Sequence, residues 1–216
     1  MKKIASPLFQ DLSEAELDTL AAAGHLRTRQ FAKHEVIFRA GSCVREICIV
    51  LRGSVHIENL DLWGTKSILS SVGAGQAFAE TYAFCGEALM VDAVAAEHCE
   101  ILFLHTAALT DARIEPALQD KLLRRLLAVS MRKNLSLSQR IFCTTPKTVR
   151  GRLLTYFSAQ AARCGRMEFE VPFNRQQMAD YLNLDRSALS KELCKMRDEG
   201  LLEFDKNRFV LKQLPE

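Results

Sequence analysis

Four polar side chains, Arg186, Ser187, Ser190 and Lys191, fall within six positions near the C-terminus. On a helix that spacing puts all four on one face. Arg and Lys donate to guanine O6 and N7, and serine hydroxyls reach bases or phosphates, so the chemistry offered is the reading of duplex DNA. Bond-making chemistry has no comparable foothold. There is no GxSxG, no HExxH, no GxGxxG or GxxxxGK[ST] phosphate loop, and no acid–base pair that spacing would place on one face. The chain is not expected to be an enzyme.

The elements that must hold this face can be read around it. Asn174 followed by Gln177 is a capping-box-like pair opening a short helix from Arg175 to Leu182. Asn183 stands where the chain must turn sharply, and Asn tolerates the left-handed backbone such a turn needs. Asp185 caps a second helix, from Arg186 to about Glu199, which Gly200 stops. Small Ala179 lets the two helices approach. This is a helix-turn-helix, with the four polar residues at the start of its second helix. A strand over Met167–Val171, ended by Pro172, precedes it. Leu201–Phe204, a polar turn at Asp205-Lys206-Asn207 and Arg208–Leu211 follow as a wing. Arg175 and Gln176 are placed to meet the phosphate backbone, as are Lys206 and Arg208 on the wing.

Charge is divided to match. The net charge of +3 hides −4 over residues 1–113 and +7 over residues 114–216. From Lys121 to Met167 there are 11 basic residues and no acidic one, so the C-terminal half is expected to meet a polyanion. The composition, 48% hydrophobic and 25% charged, is globular. No run of about 18 apolar residues is present, and Met1-Lys2-Lys3-Ile4-Ala5-Ser6-Pro7 lacks the apolar core of a secretory leader. Seven cysteines without a CxxC read as reduced thiols. No membrane contact and a cytoplasmic location are expected.

Upstream the pattern differs. Ser13 and Glu16 form a capping box, and Leu12, Leu17 and Leu20 give a helix that Gly24 ends. Short apolar runs follow at Val36–Phe38, Ile47–Leu51, Val55–Ile57, Ser67–Val72, Met90–Val94 and Glu100–Leu104. Gly41, Gly53, Gly64, Gly73, Gly75 and Gly86 separate them, which predicts an antiparallel barrel or roll between about Phe31 and Leu104. After Thr110 the periodicity becomes helical to about residue 140. Leu118, Leu122, Leu126 and Val129 form one stripe, with Leu123, Leu127 and Met131 beside it. The stripe is either a seam between two subunits or the face of a helix lying on its own roll. A further helix is expected to open at Thr145-Pro146 and end at Gly165. The fold class is therefore α+β: an antiparallel β-roll (1–113), a long central helix (114–141) and a winged helix-turn-helix (144–216).

That order of parts resembles the CRP/FNR family of bacterial transcription regulators. The resemblance rests on Pro7-Leu8-Phe9 with Leu12-Ser13 and Glu16-Leu17, on Gly41, on Ile49–Gly53 with Val55, on Gly73 through Phe78-Ala79-Glu80, and on Arg175 to Leu201. It implies a cyclic-nucleotide-binding-like roll of the double-stranded β-helix type and a homodimer joined along the central helix at Leu118, Leu122, Leu126 and Val129. It also implies a pseudo-palindromic operator in double-stranded DNA and an effector that repositions the DNA-binding domains. Activation of transcription would need a surface for RNA polymerase.

The pocket departs from the family's cyclic-AMP pattern. The Gly-Glu pair that takes the ribose reads Ala79-Glu80, and the Arg-Ser pair that holds the phosphate aligns near Leu89-Met90. Two apolar side chains cannot neutralise a phosphate, so cyclic AMP is disfavoured and a small organic effector is expected near Glu80, Leu89 and Met90. No iron–sulfur cluster is expected, because the first cysteine is Cys43 and no close triplet exists. Haem ligation by His56, His98, His105 or Cys85, thiol sensing at Cys85, and an effector-independent regulator with the roll as scaffold are the alternatives. Cys48, Cys99 and Cys194 read as small core residues.

Overall fold

The computed structural model describes residues 4–60 and 66–212. Met1, Lys2 and Lys3 and the turn glycine Gly64 lie outside the described residues. The chain divides into two units, one ending at Arg132 and the other beginning at Lys133. The division falls inside one long helix.

The first unit comprises α1 (Glu14–Ala22), β1 (Leu26–Phe31), β2 (Val36–Phe38), β3 (Glu46–Arg52), β4 (Ser54–Leu60), β5 (Lys66–Gly73), β6 (Ala77–Phe78), α2 (Glu80–Cys85), β7 (Asp92–Ala95), β8 (Cys99–His105) and the start of α3 (Pro116–Thr144). Its strands form two antiparallel sheets, ordered β1-β8-β3-β6 and β2-β7-β4-β5. The apolar run Ile47-Cys48-Ile49-Val50 is continuous because β3 is covered on both sides. Cys48 and Val50 join Phe31, Val55, Phe78, Ile101 and Phe103 in one cluster. Ile47 and Ile49 join Leu102, Leu104 and the helices in another. Period-2 side chains serve two cores at once.

That second core corrects the expected subunit seam. Leu118, Leu122 and Leu126 are buried in their own unit, and Val129 packs against the same cluster. Leu123, Leu127 and Met131 face outward. Two elements carry little signal in the sequence. β1 is an edge strand with only Leu26 and Phe31 buried, so its charged middle resembles a loop. α2 starts from Ala79 in the left-handed conformation with no side-chain cap, and so carries no opening signature. The strand expected over Met90–Val94 is β7, two residues later. His25, also unforeseen, is buried with Nε2 2.7 Å from Asp111 Oδ2.

The second unit continues α3 and adds α4 (Val149–Cys164), β9 (Glu168–Glu170), α5 (Arg175–Leu182), α6 (Arg186–Asp198), β10 (Leu202–Asp205) and β11 (Arg208–Leu211), with sheet order β10-β11-β9. α4 opens at Val149, where Thr148 accepts the Gly151 amide at 3.0 Å, not at Pro146. Pro146 instead follows the end of α3, where a residue without an N–H breaks the ladder. The core joins Leu153, Phe157, Phe169, Leu189, Leu193, Met196 and Phe209.

The turn between α5 and α6 is held by polar accounting. Asn183 adopts φ 53°, and its amide bonds back to the carbonyls of Ala179 and Asp180. The last carbonyls of a helix lack intrahelical donors. Here Arg140 Nε and Nη2 donate to Tyr181 and Asp180 carbonyls, both at 3.0 Å. Arg152 Nη1 donates to the carbonyls of Leu182 at 3.1 Å and Asn183 at 2.7 Å, while its Nε donates to that of Pro146 at 2.8 Å. Arg150 ties α4 to α6 through Glu192 at 2.6 Å and Glu199 at 2.8 Å. Three of the 11 residues in the basic run thus bond to groups of their own unit. Replacing Arg152 with Met, which keeps the stem and removes the donors, should lower unfolding stability by about 1.5–3 kcal/mol. Arg152→Lys should recover only part of it, because one ammonium cannot span three carbonyls. Urea midpoints of the three proteins measure this.

Candidate nucleic-acid interface

The four polar residues Arg186, Ser187, Ser190 and Lys191 share the N-terminal half of α6. Arg186, Ser187 and Lys191 are exposed, and Ser190 is half-buried. They stand on a fixed base. Asp185 caps α6 by accepting the Ala188 amide at 2.9 Å. Leu189, Leu193 and Met196 are fully buried on the opposite face. The Ser187 hydroxyl donates to Asp185 Oδ1.

The expected backbone contacts are less uniform. Asn174 and Gln177 form the capping box of α5, which leaves the helix N-terminus with its positive end outward. Gln176 is exposed and donates to Asp180 Oδ1 at 2.9 Å. Arg175 is half-buried, its guanidinium 5.0 Å from the Phe204 ring centre and 5.1 Å from that of Phe209. Desolvation there lowers its pKa, and the ring faces attract its charge. Arg175 and Lys206 line one cleft of about 530 Å³ with Asn174 and Asn207. Lys206, in a left-handed conformation at the wing turn, is exposed. Arg208 is exposed and ion-paired with Glu168 on the neighbouring strand. Arg140, Arg150 and Arg152 escaped the sequence reading as positioning residues. Their only signal was the basic run, which does not distinguish a cation aimed at a carbonyl from one aimed at solvent.

In the first unit, a cleft of about 250 Å³ lies between α2 and α3, lined by Glu80, Thr81, Phe84, Cys85, Leu123, Leu126, Leu127 and Ser130. Glu80 is buried at its apolar wall. Leu89 is a core residue and Met90 is 78% exposed, so neither joins Glu80 there. Both were expected at the pocket with Glu80, but one side chain is buried and the other faces solvent. Cys85 is exposed beside the cleft, and Cys48 and Cys99 are buried, whereas Cys194 is exposed on α6, contrary to the core assignment. Of the candidate haem ligands, His98 is exposed, and His105 Nδ1 accepts the Ala107 amide at 3.1 Å. His56 Nδ1 lies 3.9 Å from Glu58.

Comparison with known proteins agrees with both units. Residues 28–113 match the cyclic nucleotide-binding domain model, and residues 151–216 match the Crp-like helix-turn-helix domain model. The transcriptional activator protein FnrA of Stutzerimonas stutzeri is 24% identical over 188 residues, covering 82% of this chain and 73% of that protein. The catabolite activator protein of Thermus thermophilus is 25% identical with a TM-score of 0.50, over 96% of this chain and 94% of that one. The c-di-GMP responsive regulator CLP of Xanthomonas campestris is 19% identical with a TM-score of 0.55, over 93% and 100%. No helix among the described residues is long and apolar enough to cross a membrane. A β-roll matching one model, followed by a winged helix-turn-helix matching the other, makes this chain a member of the CRP/FNR family of DNA-binding transcription regulators, not an enzyme.

Proposed function

We propose that the protein is a cytoplasmic, homodimeric regulator that reads a pseudo-palindromic operator with two copies of α6 and responds to a small, largely apolar effector. The observation that carries the DNA reading is the exposed Arg186–Lys191 face on a recognition helix whose turn is locked by Arg140 and Arg152. Arg186 and Lys191 supply donors for guanine edges. The cleft holding Arg175 and Lys206, beside the α5 N-terminus, supports a phosphate contact that carries no sequence information. Two half-sites one helical turn apart follow from two-fold symmetry.

The subunit seam moves to the outward face of α3. Leu123, Leu127, Ser130, Asn134, Leu137 and Ile141 alternate at spacings of four and three, the pattern of a two-stranded coiled coil with polar positions that set register. The leucines and Ile141 are exposed in the single chain. Such a row of apolar side chains favours a partner. The α2–α3 cleft borders this row through Leu123, Leu127 and Ser130, so an occupant would bias the packing of the two helices. Among the described residues no basic side chain lines the cleft, which supports an apolar organic effector over cyclic AMP. The fold itself admits other ligands, since CLP is described as c-di-GMP responsive. RNA polymerase enters this reading as the partner of the DNA-bound dimer.

Selecting sites from random duplexes should yield a two-fold symmetric sequence. Arg186→Ala and Lys191→Ala should then each cost about 1–3 kcal/mol on that site and relax one position. Lys206→Ala should weaken all sequences alike and flatten the salt dependence. Equal losses on cognate and random DNA for Arg186→Ala would remove it from base reading. Leu127→Asp should give folded monomers in sedimentation velocity, whereas Leu122→Asp, placing a charge in the roll core, should prevent folding. A Leu127→Asp protein that stays dimeric would place the seam elsewhere. Native mass spectrometry should detect a small molecule retained by the dimer and released on denaturation. An empty dimer whose DNA affinity is unchanged by cell extract would instead favour the roll as a scaffold.

A further inference from the structure

Ser187 occupies the second position of α6, exposed and ahead of the buried Leu189. Its hydroxyl donates to Asp185 Oδ1, and the same oxygen accepts the Ala188 amide. The Ser187 hydroxyl, first, and the Ala188 amide hold the Asp185 carboxyl below the usual carboxylate range. Asp185 is therefore ionised at neutral pH and can only accept. A serine hydroxyl has one proton and two lone pairs. With the proton turned into Asp185, what Ser187 offers outward is lone pairs alone.

Its neighbours on α6 cannot take that role. Arg186 and Lys191 are donors only, Ser190 is half-buried, and Glu192 is bonded to Arg150 of α4. In the major groove the groups that can donate to a waiting acceptor are adenine N6 and cytosine N4. We propose that Ser187 is a specificity-determining acceptor that reads an adenine or cytosine amino group in each half-site, with Asp185 as the positioning residue that sets its polarity. This rests on the DNA-reading function proposed above.

The test starts with the full-length protein and sites selected from random duplexes. Enrichment of a symmetric site keeps the DNA reading, and failure to enrich any sequence overturns that reading whatever Ser187 does. On the selected site, each adenine is replaced in turn by purine and each cytosine by pyrimidin-2-one, which deletes one amino group at a time. At one position per half-site the deletion should weaken the wild-type protein by about five- to tenfold. Ser187→Ala should bind the intact and deleted duplexes equally there. Asp185→Asn keeps a carbonyl for the helix cap but offers Ser187 an amide donor, freeing the hydroxyl proton, and should show a reduced loss at that position. Equal sensitivity of wild type and Ser187→Ala at every position would overturn the proposal. So would coupling seen only with 7-deazaguanine, which removes an acceptor and would make Ser187 a donor.

Discussion

The left-handed turn at Asn183 is the constraint on which the DNA-facing surface depends. The chain must reverse within three residues while the end of α5 leaves carbonyls without intrahelical donors. Asn183 supplies the backbone conformation, and Arg140 and Arg152 supply the missing donors from two other helices. Each bond from a guanidinium to such a carbonyl contributes about 1.5–3 kcal/mol. The Arg clamp therefore stabilises one setting of α6 against α5, and every side chain at the start of α6 inherits its direction from that setting. Ala179, fully buried where Leu184 bonds back to its carbonyl, leaves no room for a different approach.

Cations in this unit do three different kinds of work. Arg140, Arg150 and Arg152 are spent on carbonyls and carboxylates inside it. Arg175 lies on the Phe204 and Phe209 rings at the base of the wing, where planarity and weak hydration suit a guanidinium better than an ammonium. Arg186, Lys191 and Lys206 remain exposed. Net charge attracts a polyanion at long range, but geometry decides which of these charges can touch it.

In the first unit, α3 divides its apolar residues between two directions. Leu118, Leu122 and Leu126 complete the roll, while Leu123 and Leu127 turn away from it and border the α2–α3 cleft. One helix thus belongs to the core and to the surface where a ligand or a second chain would be felt. Close-packed cores do not deform smoothly, so an occupant pressing on α3 is expected to favour one packing over another rather than bend the helix.

Signals local in sequence were legible without a structure. The capping boxes at Ser13–Glu16 and Asn174–Gln177, the left-handed Asn183, the Asp185 cap and the wing hairpin all lie where their spacing implies, because each joins residues close in sequence, from three apart at the caps to nine apart at the open end of the wing. The buried strands were legible because β3 and β8 are apolar on both faces. Tertiary structure alone decided the rest. Periodicity shows that α3 has a broad apolar surface but not which stripe meets the roll, since that depends on residues as distant in sequence as Leu8, Leu20 and Ile49. Composition counts basic residues but does not separate Arg152, aimed at carbonyls 30 positions distant, from Lys191, aimed outward. The resemblance put Leu89 and Met90 together at the pocket with Glu80, and the fold sent one into the core and the other to solvent. A contact between distant residues leaves no mark in either one's own neighbourhood, and only the packed chain reveals it.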